Sequence, residues 1–326
     1  MTAGSLPVRL GLVGCGRLAE IGYVPAVELA RGIEIVGVVD PDLSRRDAIA
    51  RQRGGDVAAV ADLATLLASD TVDGVVLASP ASAHVADAER AVGAGLPVLV
   101  EKPPAPDAAG ARRLTELGTL VRVGFNRRYD AGARSVRATL GSRNAVRGDR
   151  VELDLAIRYR RASWKPHTVH DDVLADLGPH LLDWARWLTG GDVVEVAAHE
   201  LGTDRAVLDL TLTAGRARVT AAADRFHAEH LVARDGAGTE IARHEVGGLV
   251  AAITDRFTKR GRPHPLVASL AAQLVDFAEV VRGGDAPDLG TAADGLAVMA
   301  AIDAARASAV SAGRATPIDH LEQPSC

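Results

Sequence analysis

Two side chains of the kinds that move protons stand four positions apart in Asp176-Leu-Gly-Pro-His180. On a helix, residues four apart share a face, so this carboxylate and imidazole can meet one ligand together. Histidine changes charge near neutrality and works as a general base or acid; the aspartate would orient it and balance its charge. Pro179 favours a first helical turn, which leaves Asp176 as either the N-cap or an interior residue. Taken singly, a plain helix cap for Asp176 and a satisfied interface histidine for His180 are the better readings. Asp183, one turn further on, reads as a surface or helix-pairing residue. A third candidate is Lys102, in Glu101-Lys102-Pro103-Pro104. The chain has 37 basic residues, of which only Lys102, Lys165 and Lys259 are lysines. Arginine stays charged in proteins, whereas a lysine can shift its pKa, hold a substrate oxygen or pass on a proton. A loop lysine facing solvent is the plain alternative.

A second kind of chemistry is written near the start. Gly14-Cys15-Gly16-Arg17-Leu18-Ala19 follows an apolar run directly, and Asp40 closes the next such run. Glycines here let the backbone approach a pyrophosphate at the positive end of a helix, and the acid binds a ribose 2′-hydroxyl. A ligand-free glycine turn is the competing reading. Asp40 favours NAD over NADP, because a 2′-phosphate would face a carboxylate; Arg45 and Arg46 leave room for NADP. Cys15 reads as a small residue filling a tight loop, with a redox thiol at a helix N-terminus as the alternative.

Positioning these groups requires a scaffold, and the pattern supplies one. Strands are expected at 8–13, 33–40, 73–79, 97–101 and 121–125, nearly continuous in hydrophobicity, as strands covered on both faces are. Helical stretches at 18–30, 44–53, 62–68, 83–94 and 107–117 alternate with them, which predicts a parallel sheet with crossover helices. After 125 the rhythm changes: a helix at 130–140, an alternating antiparallel strand at 150–159 and a helix at 177–188. Strands follow at 193–200, 206–213, 217–223 and 229–234. Two helices, 266–281 and 291–312, finish the chain. The fold class is therefore α/β: an N-terminal doubly wound (Rossmann) domain over 1–126, then an α+β domain over 127–326 with a largely antiparallel open sheet. The last two helices are able to pack back on the first domain.

With 326 residues the chain is long enough for about two domains. Hydrophobic residues make up 48% and charged residues 24%, the usage of a globular protein. A net charge of −5 lacks the concentrated basic face that nucleic acid requires. No apolar run reaches the roughly 18 residues of a membrane span, and the first residues do not read as a signal peptide. Only Cys15 and Cys326 are cysteines, so no disulfide framework is expected, which suits the cytoplasm. No metal site is expected.

Together these pieces resemble the Gfo/Idh/MocA family of NAD(P)-dependent oxidoreductases. The resemblance is carried by Gly14-Cys-Gly16-Arg-Leu-Ala19, Asp40, Ser79-Pro80-Ala-Ser-Ala-His84, Glu101-Lys102-Pro103, Gly124-Phe-Asn-Arg-Arg-Tyr129 and Asp176-Leu-Gly-Pro-His180, in the family's order. It implies Lys102, Asp176 and His180 as the catalytic set, with Gly14, Gly16, Arg17, Leu18, Asp40, Ser79, Pro80, His84 and Glu101 on the cofactor side. It also implies a cis Lys102–Pro103 bond. The stretch from Gly124 to Asp130 is similar to the inositol dehydrogenase branch, which places Arg127 near a polyol. His170-Asp-Asp-Val-Leu-Ala stands where the family often has a Gly-rich stretch. Trp164, Lys165, His167 and His170 precede the Asp/His helix and could line the substrate pocket or simply pack a loop.

The activity implied is reversible oxidation of a secondary alcohol on a sugar or cyclitol by a homodimer or homotetramer, paired through the second sheet's exposed face. Two other readings stand beside it. One is a ketoreductase for a nucleotide-linked sugar, which would use Arg158, Arg160 or Arg161. The other is a non-catalytic NAD(P)-binding sensor, against which retention of all three candidate catalytic residues argues.

Overall fold

Runs rich in valine and leucine, mostly buried on both faces, build most of the first sheet: β1 (Val8–Val13), β2 (Ile33–Val39), β4 (Gly74–Leu77), β5 (Val98–Glu101) and β6 (Val121–Gly124), with the short, largely exposed β3 (Ala58–Val60) at the edge beside β2. The computed structural model describes residues 6–54, 56–147, 150–159, 172–247 and 264–318. Its contacts divide the chain into two compact units, Met1–Tyr129 with Pro263–Leu296 and Asp130–Arg262 with Ala297–Cys326.

In the first unit the strand order is β13-β6-β5-β4-β1-β2-β3, where β13 (Gly290–Thr291) pairs antiparallel with β6 and the rest run parallel. Winding reverses between β1 and β4, and in open sheets of this kind ligands bind beyond the carboxyl ends of the strands at that point. The crossover helices are α1 (Val24–Leu29), α2 (Leu43–Arg53), α3 (Leu63–Leu67), α4 (Ala81–Gly93) and α5 (Ala108–Glu116). Asp42, Asp62 and Asp107 cap α2, α3 and α5 by accepting backbone N–H groups. The single helix expected at 18–30 divides in two. A π-helical turn, Ala19–Tyr23, precedes α1, and the Val24 N–H bonds back to the Ala19 carbonyl. Pro25 has no N–H to continue the ladder, and the wider turn absorbs that loss. Helix α8 (Pro265–Val281) belongs to this unit, and its Leu270, Leu274 and Phe277 share a core with Tyr23 and Ile33.

The second unit's sheet has the order β12-β11-β7-β10-β9-β8-β14. Its strands are β7 (Val151–Tyr159), β8 (Val193–Leu201), β9 (Arg205–Leu212), β10 (Gly215–Ala223), β11 (Ala228–Arg234), β12 (Glu240–Gly247) and β14 (Thr316–Pro317). Pairing is mostly antiparallel, with one correction to the sequence reading: β7 is antiparallel to β11 but parallel to β10. Helix α7 (Val173–Thr189) carries the chain back across the sheet between β7 and β8. Two hairpins then bring β10 alongside β7 in the same direction. Alternation in β7 reports one wet face and says nothing of a neighbour's direction. Among the described residues, helices α6 (Ala131–Arg147) and α9 (Ala292–Val310) complete the set, α6 running past its expected end at 140. Among the described residues no helix is long and apolar enough to cross a membrane.

Candidate active site

The glycine loop follows β1 without a spacer. Gly14 has φ +94°, and a Cβ there would stand 2.6 Å from the backbone of Ala78 and Ser79, so only glycine fits. Gly16 is different: a Cβ would meet nothing within 4 Å, which leaves its outer side open to a ligand. Asp40 closes the arrangement from β2. Buried, it accepts the Cys15 N–H on Oδ2 and the Asp42 N–H on Oδ1, each at 2.9 Å. The acid thus ties the glycine loop to the end of β2.

Beside the loop lies a cavity of about 520 Å³, lined by Gly14, Asp40, Arg45, Ser79 and Pro80 among others. Ser79 Oγ is buried there with no hydrogen-bond partner among the described residues. An open glycine, an acid at the second strand end and an unsatisfied hydroxyl fit the pyrophosphate and ribose of a dinucleotide. Of the two arginines near Asp40, Arg46 turns back to the carbonyls of Asp40 and Pro41, and Arg45 lines the cavity. Arg17 pairs with Glu20 at 2.7 Å, and Leu18 packs against the core. The redox alternative for Cys15 is corrected: burial, and then the Asp40 charge, push its thiol up to about 12, so no thiolate forms near neutrality.

Lys102 sits at the carboxyl end of β5, on a cis Lys102–Pro103 peptide. The turn is held from behind. His84 on α4 is buried, with Nε2 2.8 Å from the Ser79 carbonyl and Nδ1 3.1 Å from the Pro103 carbonyl. Burial lowers its pKa, so the neutral imidazole donates its one N–H to one of these carbonyls while sitting between the Ser79 loop and the Pro103 turn. Glu101, also buried, accepts the Tyr23 hydroxyl on Oε1 at 2.5 Å and the Lys102 N–H on Oε2 at 3.0 Å. Burial raises the Glu101 pKa against the pull of those donors and of the Lys102 charge.

In the second unit Asp176 and His180 lie on α7, and the choice left open for Asp176 is decided. Asp172 is the N-cap, its carboxylate accepting the Ala175 N–H at 2.7 Å. Asp176 is therefore interior, one turn before His180 on the same face. Tyr159, the last residue of β7, donates to Asp176 Oδ2 at 2.5 Å. His180 is buried, and Pro179 sits inside the helix instead of in its first turn. Asp183, read as a surface or helix-pairing residue, is 1% exposed and faces the interior.

Arg127, half-buried, belongs to a short 3-10 turn, Asn126–Tyr129, in the first unit. Its neighbours serve structure: Asn126 donates to Ser269, Tyr129 to Asp276, and Arg128 pairs with Asp294. Arg158 is exposed on β7. Trp164, Lys165, His167, His170, Arg160 and Arg161 lie outside the described residues. Tyr23 and Tyr159 were not singled out in the sequence. Their signal was scarcity, for the chain has three tyrosines, and each hydroxyl donates to a carboxylate.

Comparison with known proteins bears on both units. Residues 8–121 match an oxidoreductase family with an NAD-binding Rossmann fold, and residues 134–239 match the GFO/IDH/MocA C-terminal domain. An inositol 2-dehydrogenase of Acidothermus cellulolyticus is 36% identical over 197 residues, which cover 59% of this chain and 56% of that protein. Inositol 2-dehydrogenase 4 of Saccharopolyspora erythraea is 28% identical over 97% of both chains. Among solved structures, the myo-inositol dehydrogenase of Lactobacillus casei in complex with NAD(H) and myo-inositol superposes with a TM-score of 0.78. It is 19% identical, over 98% of this chain and 99% of that one.

Proposed function

We propose a function from one premise: the chain belongs to the Gfo/Idh/MocA family of oxidoreductases, with an NAD-binding Rossmann fold. It oxidises a ring secondary alcohol of a cyclitol, of the inositol class, to the ketone and runs the reverse reduction. The observation that carries this reading is the Lys102 turn at a strand's carboxyl end, with His84 seated between it and the Ser79 loop that lines the dinucleotide cavity. When bound, NAD supplies the two-electron acceptor for the carbinol hydrogen. Gly14, Gly16, Asp40, Ser79 and Pro80 would hold it, with NADP disfavoured by the Asp40 carboxylate and admitted only through Arg45.

The proposed catalytic set is Lys102, Asp176 and His180. His180 takes the hydroxyl proton as the alcohol is oxidised and returns it in reduction. Asp176, held by Tyr159, orients the imidazole and balances its charge. Lys102 donates to the reacting oxygen and stabilises the negative charge that develops there. Arg127 and Trp164 would contact the remaining hydroxyls. A homodimer or homotetramer in the cytoplasm completes the reading. Relatives named for inositol oxidation support the substrate class.

The test is a panel of cyclitols, free sugars and nucleotide sugars with NAD⁺ and with NADP⁺, followed by nicotinamide absorbance. Turnover of an inositol with NAD⁺ is the expected result. Turnover of a nucleotide sugar alone, or of none of them, overturns the substrate assignment.

A further inference from the structure

Behind the candidate lysine lies a carboxylate that water does not solvate. Glu101 is 5% exposed, and Tyr23, which donates to it, is 1% exposed. The two come from distant parts of the chain, Tyr23 from the π-helical turn and Glu101 from the end of β5. On β6, Gly124 keeps the space clear: a Cβ there would stand 3.2 Å from the Glu101 carboxyl. Gln273 of α8, fully buried, reaches the Tyr23 hydroxyl at 3.5 Å. The titratable groups facing Glu101 are Tyr23 and Lys102, with Gly124 and Gln273 as neutral neighbours.

We propose that Tyr23 is a positioning residue for Lys102, its hydroxyl holding Glu101 as an oriented carboxylate that fixes the Lys102 backbone. The inference rests on the reading that Lys102 acts at the reacting oxygen. Its physical basis is a contest over one proton. Burial favours neutral Glu101, while two hydrogen bonds and the lysine charge favour the anion. Tyr23 wins part of that contest because its own proton is secure. Burial and the Glu101 charge drive the phenol's pKa well up, so the hydroxyl donates throughout the working range. Phenylalanine at 23 would keep the ring's packing and remove only the donor. A neutral Glu101 would then be free to rotate, and the Lys102 N–H would lose its fixed acceptor.

The scarcity of lysine permits a direct test on the full-length protein. Reductive methylation with ¹³C-formaldehyde labels Lys102, Lys165 and Lys259, and Lys102→Arg identifies the Lys102 resonance. Protonation of Glu101 moves that resonance as the pH falls. Tyr23→Phe is expected to raise the midpoint of this movement by about one pH unit, the scale of a lost hydrogen bond to a buried charge. In reduction of a cyclitol ketone, kcat should fall about tenfold, with the NADH KM unchanged, because the glycine loop and Asp40 are untouched. Glu101→Gln should lower kcat alone, and adding Tyr23→Phe to it should cost less than a further twofold, since Tyr23 acts through Glu101. An unmoved midpoint, or losses that multiply in the double variant, overturns the proposal. If Tyr23→Phe fails to fold, Glu101→Gln decides: wild-type kcat in that variant overturns it too. Absence of any ketone reduction by the wild type would instead overturn the proposed function, and the midpoint would still decide the Tyr23–Glu101–Lys102 linkage.

Discussion

At the scale of single residues, the candidate chemistry rests on groups whose surroundings leave them little choice. His180 is buried on the same helical face as an aspartate that a tyrosine pins in place. As the proton carrier it should account for about 10²–10⁴ in rate. His180→Ala is therefore expected to lower kcat by that factor and leave NAD⁺ affinity, measured by fluorescence titration, within twofold. Full kcat in this variant removes His180 from the mechanism. Lys102→Arg keeps the charge but replaces a compact donor by a planar fork; near-complete loss of turnover is the expected outcome. Most of these side chains are legible in sequence because their types are scarce or their spacing is helical: three lysines, a Gly-x-Gly loop, an acid 24 positions on, an Asp and His four apart. Their partners are not. Nothing local to Tyr23 announces a carboxylate 78 positions away, nor does His84 announce that both its ring nitrogens face backbone carbonyls.

At the scale of elements, apolar periodicity locates the long helices and the buried strands, but it misplaces ends and misses edges. The start of α7 is the clearest case. A helix expected from 177 begins at Val173 because Asp172 accepts the Ala175 N–H. The cap sits one turn before Asp176 and sets the helical register of both candidate residues. Asp172→Ala should cost about 1 kcal/mol in a chemical melt. It should also lower kcat more than the His264→Ala change at the cap of α8, which carries no candidate catalytic group. Equal effects on kcat would assign Asp172 to stability alone. Strand β12 escapes the sequence reading for the opposite reason. It is a polar edge whose residues answer to neighbours, as Glu245 does to His230 of β11 at 2.7 Å, so it lacks a buried stripe to announce it. The short strands β3, β13 and β14 depend on pairing partners and are too brief to show a period.

At the scale of the whole molecule, the two units carry histidines that respond to pH in opposite senses. In the second, His244 of β12 meets Asp130, where α6 begins, at 2.9 Å, and a Cβ at Gly132 would collide with the imidazole. The Asp130 carboxylate beside it raises the His244 pKa against partial burial. Asp130 is held below its ordinary range, against burial, by the His244 imidazole beside it and by the Ala133 N–H that it accepts. A raised histidine stabilises fully below its unfolded value, about 6.5, and that contribution is lost as pH rises through the folded value. A lowered aspartate stabilises above its unfolded value, about 3.9, and loses that as pH falls. The pair is therefore strongest between these limits, near pH 5–6. In the first unit burial lowers His84, so its contribution runs the other way and is lost as pH falls below the unfolded value. Glu101, raised by burial, opposes that trend only across the carboxylate range.

His244→Gln should thus cost about 0.5–1 kcal/mol at pH 6 and almost nothing at pH 9, read from denaturant melts. Hydrogen exchange should find the first unit loosening towards acid pH, around His84, and the β12 edge loosening towards alkaline pH. Saturating NAD⁺ at about 100 times its Kd adds roughly 2.7 kcal/mol to whatever binds it. That protection should appear in the segments around Gly14–Gly16, Asp40 and Ser79. Protection centred on β12 instead would place the dinucleotide in the wrong unit.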